Sequence, residues 1–162
     1  MAQLYEISNG PMQTIAAPVS VTTGTVIKTM LQVKLGTQNK GKVVEWGISF
    51  DGSAAAAPIK CELIETGTVF ATVTASASAD ITKFGDPNDV DPTTSNIILT
   101  TTGTGYTSTA EGTITTTRTF DAQLIAPTNQ YVKQFPLGRC CATVTGGRWS
   151  GRCGSTSSIP SD

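Results

Sequence analysis

The chain has 162 residues, 14% of them charged, with 11 Lys and Arg against 12 Asp and Glu, no His, and 28 Thr, 13 Ser and 16 Gly. The absence of His removes the commonest general base and metal ligand together, which excludes Ser-His and Cys-His nucleophile pairs and the usual zinc hydrolase sites. A formal charge of −1 with four scattered Arg offers no attractive field to a phosphate backbone, and no apolar run reaches the roughly 18 residues of a membrane helix, so neither nucleic acid nor membrane is an expected partner.

A single domain with a real core is expected at this length. The first ten residues carry no basic stretch followed by an apolar one, so secretory routing is not expected. Richness in Thr, Val and Ile points to ordered β-structure rather than disorder.

Residues 1–18 hold Leu4, Tyr5, Ile7, Met12 and Ile15, interrupted by Asn9-Gly10-Pro11, a pattern that suits an arm lying on another surface. From Val26 to Leu35 the alternation puts Ile27, Leu31, Val33 and Leu35 on one face and Lys28, Gln32 and Lys34 on the other. A polar loop, 36–41, leads to a second strand over 43–50, with Val44, Trp46, Ile48 and Phe50 inward and Glu45 and Ser49 outward, closed by an Asp51-Gly52 turn. Ile59, Cys61 and Leu63 share a face of the next strand. With a turn over 65–68 and a strand over 69–75, this half reads as a β-meander.

Residues 76–84 predict a short helix, capped by Ser76 and ended by Gly85. The proline-rich, acidic 85–92 must be an exposed loop; Asp86, Asn88, Asp89 and Asp91 are the best cation candidates there, but Val90 and Ile97 fall where an EF-hand needs oxygen ligands. Strands follow over 96–100, 113–125, 129–135 and 139–145; in the second, Phe120, Ala122 and Leu124 face one way and Thr119, Asp121 and Gln123 the other. About eight short strands in residues 19–145 predict an all-β fold, an eight-stranded antiparallel β-sandwich with extended terminal arms. Residues 146–162, mostly Gly and Ser, read as a flexible tail in which Trp149, beside Arg148, is expected as an interface anchor.

Catalysis has little to work with. Glycoside hydrolysis by paired carboxylates needs no His, and Glu45, Glu62 and Glu65 are the candidates, yet alternation puts Glu45 and Glu62 on an outer face; the chain is not expected to be an enzyme or to hold a cofactor or metal. Cys61 reads as a small buried hydrophobe. The adjacent Cys140 and Cys141 point to opposite strand faces, so one of them is free to meet Cys153 or a neighbouring chain, and a disulfide stapling the tail is an expectation that thiol alkylation would test.

Four segments, Trp46 to Gly52 (WGISFDG), Cys61 to Thr68 (CELIETGT), Ala79 to Phe84 (ADITKF) and Lys133 to Gly138 (KQFPLG), give residues 20–145 a style that resembles the small structural proteins of tailed bacteriophages, nearest to the capsid decoration, or cement, proteins. The resemblance implies a jelly-roll or tumour-necrosis-factor-like sandwich, a homotrimer at threefold positions of an icosahedral lattice, and binding to the outside of the major capsid protein. It places the protein in the virion after synthesis in the host cytoplasm. Leu4, Tyr5, Ile7 and Trp149 are then the expected partner contacts. A tail or fibre module that recognises a receptor or glycan is the alternative, and a tail tube protein the third.

Overall fold

The computed structural model describes residues 3–10, 20–24, 26–84, 91–93, 96–136, 144–145 and 147–155. These residues form twelve strands, where the spacing predicts about eight: β1 Tyr5–Ile7, β2 Lys28–Lys34, β3 Lys40–Gly41, β4 Glu45–Ser49, β5 Ile59–Thr66, β6 Thr72–Ala75, β7 Ile81–Lys83, β8 Gly105–Ala110, β9 Thr116–Ile125, β10 Gln130–Gln134, β11 Val144–Thr145 and β12 Arg148–Ser155. The fold is all-β and every pairing is antiparallel. A six-stranded sheet in the order β6-β8-β2-β12-β5-β9 dominates, accompanied by three two-stranded pairs, β1-β7, β4-β10 and β3-β11.

The strand order overturns the meander. β5 and β6 are consecutive in sequence, but β6 is one edge of the sheet and β5 lies next to the other edge, with β8, β2 and β12 between them. The chain between them crosses one sheet face: the Arg148 guanidinium lies 3.3 Å above the Phe70 ring, and the fully buried Gln32 donates through Nε2 to the Ala71 and Gly103 carbonyls, at 3.4 and 2.8 Å. β2 is therefore covered on both faces, and Gln32, expected on a solvent face, is buried with its Nε2 bonded to backbone carbonyls and its Oε1 left without a partner among the described residues.

The sheet's other face holds two apolar clusters. One contains Leu35, Leu63, Ile81, Ile97 and Trp149, and the other Met30, Cys61, Ile125 and Cys153. Trp46 of β4 packs against both, which lays the β4-β10 pair over the large sheet. In β4 the predicted alternation holds at Trp46 and Ile48, half-buried between exposed Glu45, Gly47 and Ser49.

Three expectations fail locally. The helix over 76–84 shrinks to a single 3₁₀ turn, Ser78–Asp80, because Ile81 leaves it to pair with Ile7 across the β1-β7 ribbon. No strand forms over 96–100; Ile97 makes only an isolated bridge to Leu35. Residues 148–155, expected in the flexible tail, are instead the strand β12, paired to β2 on one side and β5 on the other. Gly-rich composition hides this strand, in which a Cβ on Gly154 would sit 2.6 Å from Ile27 Cα while Gly151 has open space around it.

Backbone crowding requires glycine at Gly105. A Cβ on Gly105 would sit 2.1 Å from the Thr74 carbonyl oxygen and 2.7 Å from Val73 Cγ2, at the junction of β6, β8 and β2. Gly105→Ala is expected to cost about 3 kcal/mol by overpacking against a backbone atom that cannot swing aside. A chemical denaturation midpoint equal to that of the parent would contradict it.

Candidate functional site

Three features of the described residues bear on function, the first being the N-terminal ribbon. Its register pairs Tyr5 with Lys83, Glu6 with Thr82 and Ile7 with Ile81. Since side chains alternate, Tyr5, Ile7 and Ile81 turn to one face, where Ile81 is buried and Tyr5 and Ile7 pack against the cluster around Trp149. The opposite face carries Glu6 and Thr82 and, one step further, Leu4 and Phe84, joined by the Phe84 N–H donating to the Leu4 carbonyl at 2.9 Å. Leu4 is 47% exposed and Phe84 62%, an apolar pair turned to solvent.

The second feature is a split in the large sheet. β2 and β8 pair only at Leu31 with Tyr106 and Gln32 with Gly105. Beyond that point the Glu111 carboxylate stands between the strands, accepting from the Thr29 N–H, from Thr29 Oγ1 and from Ser108 Oγ. A shallow, open groove of about 380 Å³ runs along this split, lined by Thr23, Val26, Ile27, Lys28, Ser108 and Thr109 among others. Thr107, skipped by the β6-β8 register, takes a left-handed φ of 45° and donates from Oγ1 to Asn9 Oδ1 at 3.1 Å.

The third is Asp121, whose side chain is only 3% exposed. Oδ2 accepts from Trp46 Nε1 at 3.1 Å and from the Tyr131 hydroxyl at 2.8 Å, and Oδ1 accepts from Lys133 Nζ at 2.8 Å and Gln123 Nε2 at 3.1 Å. Burial works to raise the carboxyl, and the bonds from Lys133, Gln123 and Tyr131 outweigh it, so Asp121 titrates below the ordinary 3.8. Burial and the Asp121 carboxylate together push the Tyr131 hydroxyl up. With both oxygens saturated by side chains of β4, β9 and β10, Asp121 fastens strands together and has no lone pair left for a substrate.

The sequence-predicted carboxylates are not brought together as a hydrolytic pair. Glu45 accepts from Gln134, Glu62 is held by Arg152 and Lys60 at 3.1 and 3.2 Å, and Glu65 is held by Arg118. Glu62, expected outward, is only 12% exposed in its side chain because Arg152 of β12 neutralises it. Asp91 pairs with Lys83 at 2.8 Å, while Asp86, Asn88 and Asp89 lie outside the described residues. Among the described residues, no three Cys, Asp or Glu side chains gather as metal ligands, and no helix is long and apolar enough to cross a membrane. No family model, curated protein or solved structure matches the chain.

The expected partner contacts divide. Leu4 is exposed, whereas Tyr5 and Ile7 turn to their own core. Trp149 corrects the reading most: it is 4% exposed, packed with Leu35, Leu63, Ile81 and Ile97, because β12 places it inside the domain rather than on a tail. Cys153 is buried against Cys61, and Cys140 and Cys141 lie outside the described residues. Sequence reasoning missed Phe84, assigned to a helix, and Asp121, placed with Thr119 and Gln123 on the strand face opposite Phe120, Ala122 and Leu124. A lone acid within an otherwise apolar and amide-bearing alternation was the available signal for the second.

Proposed function

We propose that this protein is a structural virion protein that decorates and stabilises a bacteriophage capsid, binding the outer surface of the major capsid protein lattice as a trimer of jelly-roll or tumour-necrosis-factor-like sandwiches. The observation that carries the reading is the exposed pair Leu4 and Phe84 on the β1-β7 ribbon, an apolar surface made by the N-terminal segment and turned away from the core. Burying a Leu or Phe side chain contributes about 1.5–3 kcal/mol. That is a weak contact for one copy, but repeated over a closed lattice it gains from multivalency. Glu62, Glu65, Asp91 and Asp121 are committed to ion pairs within the chain, consistent with a protein that acts by contact.

A receptor- or glycan-binding tail module is the second reading, favoured by the hydroxyl-bearing groove along Thr23, Ser108 and Thr109. Copy number in purified virions separates the two: hundreds per particle fit decoration, and a handful fit a tail part. A tail tube protein would instead assemble into open helical filaments. In a binding assay with isolated expanded capsids, Leu4→Asp with Phe84→Asp is expected to weaken binding about tenfold or more while leaving the melting temperature within about 2 °C. Undiminished capsid binding by the folded double variant would remove the ribbon from the interface.

A further inference from the structure

We propose that Cys61 and Cys153 are a disulfide-forming pair that covalently joins β12 to β5. Their positions face each other directly in the β5-β12 register, and facing residues of antiparallel strands have Cα atoms about 4.5–5.5 Å apart, inside the window of about 4.4–6.8 Å that a disulfide spans. The two Sγ atoms lie 2.7 Å apart, so reaching the bonded separation of about 2.05 Å takes a shift of roughly 0.7 Å. Both side chains are buried, at 0% and 1% exposure, among Met30 and Ile125. Cys153, expected to seek Cys140 or Cys141, is already seated against another thiol.

The oxidant is a small disulfide of the glutathione class. One cysteine thiolate attacks a glutathione sulfur, releasing one glutathione thiolate and leaving a mixed disulfide; the second cysteine thiolate then attacks the protein sulfur of that intermediate and displaces the other glutathione. Two protein thiols lose two protons and two electrons, and one glutathione disulfide becomes two glutathiones. Contact with Cys61 and burial both push the Cys153 thiol up, so the folded dithiol reacts slowly. Exchange therefore takes place while β12 is still undocked, and the closed sheet then shields the bond from reductant.

Position makes the test direct. Lys60 precedes Cys61 and Arg152 precedes Cys153, so trypsin releases residues 61–83 and 153–162, each with one cysteine. Full-length protein refolded with glutathione disulfide, alkylated and digested without reductant, is expected to yield these two peptides as one linked mass. The bond closes a loop between residues 92 apart, and the oxidised protein is expected to melt about 10 °C above the reduced one. Cys61→Ala and Cys153→Ala should each abolish that difference. Recovery of Cys153 linked to Cys140 or Cys141, or of Cys61 and Cys153 both alkylated after oxidative refolding, overturns the proposal. Peptide mapping on the parent chain needs no variant to fold, and its result is independent of any capsid.

Discussion

A chain ending at residue 147 is expected not to fold. β12 separates β2 from β5, so its loss leaves two interior strands with open edges and divides the large sheet into a half of β6, β8 and β2 and a half of β5 and β9. Each new edge exposes unpaired backbone groups that water or another chain must satisfy. The same cut removes Trp149 from the cluster with Leu35 and Leu63, and Arg152 from the partly buried Glu62. Far-UV circular dichroism and limited proteolysis check the outcome, and a cooperative melt in the truncated chain would show that the outer strands suffice. Point substitutions grade the effect. Trp149→Ala is expected to cost about 3–5 kcal/mol through the cavity it leaves, a large part of the typical 5–15 kcal/mol of a domain. Trp149→Phe should cost well under half of that, since the indole Nε1 is buried without a partner among the described residues and its removal forfeits no hydrogen bond.

Removing the Asp121 carboxylate is the second large expected effect. Asp121→Ala leaves the Lys133 ammonium, the Tyr131 hydroxyl and the Trp46 indole N–H without their shared acceptor, beneath the β4-β10 pair. Breaking a buried charge pair from one side costs about 3–5 kcal/mol, although Lys133 is about a third exposed and recovers some of this by hydration, so a loss near 3 kcal/mol is expected. The sign of the pH dependence follows from the direction of the shift. A carboxyl whose folded pKa lies below its unfolded value adds stability that is present in full above the unfolded value of about 3.9, and that fades as pH falls through the lower, folded pKa. The parent should therefore lose its advantage over Asp121→Asn as pH falls below about 4, and equal stability of the two at pH 7 would show that the charge contributes nothing. Trp46 emission gives a local readout, because its ring stands 5.7 Å from Tyr131 and its N–H is bonded to Asp121.

Strand identity was legible where one face meets the core and the other meets water, as at Trp46 and Ile48 against Glu45 and Ser49. Ile59, Cys61 and Leu63 also read correctly, although Ile64 of the same strand is 1% exposed, so β5 is covered on both faces and its alternation conceals half of its burial. Period two tells which residues share a face and leaves open which face is inside. β9 shows the consequence: Asp121 and Ile125 are buried while Leu124 is 56% exposed, the reverse of what hydrophobicity alone prescribes. The inversion is stabilised by donors from Trp46, 75 residues away, and from Lys133, 12 away, and no local pattern encodes partners at such separations. Neighbour order was likewise out of reach, because β12 pairs with β2 and β5 through backbone groups that every sequence carries. The apolar site residues divided for a related reason: Leu4 and Ile7 differ in fate only through the parity set by pairing with β7.

The place of β12 has a consequence for synthesis. Cys61 and its facing residue Cys153 are 92 positions apart, and at about 5–20 residues per second a ribosome needs roughly 5–20 s to travel that distance. Throughout that interval the nascent chain presents the edges of β2 and β5 with the strand that will fill the gap not yet made. Chains on neighbouring ribosomes of one message display the same two edges at once, so crowded translation favours mispairing between copies. Slower initiation, or a holdase present during elongation, should raise the soluble yield more than any change to the finished sheet.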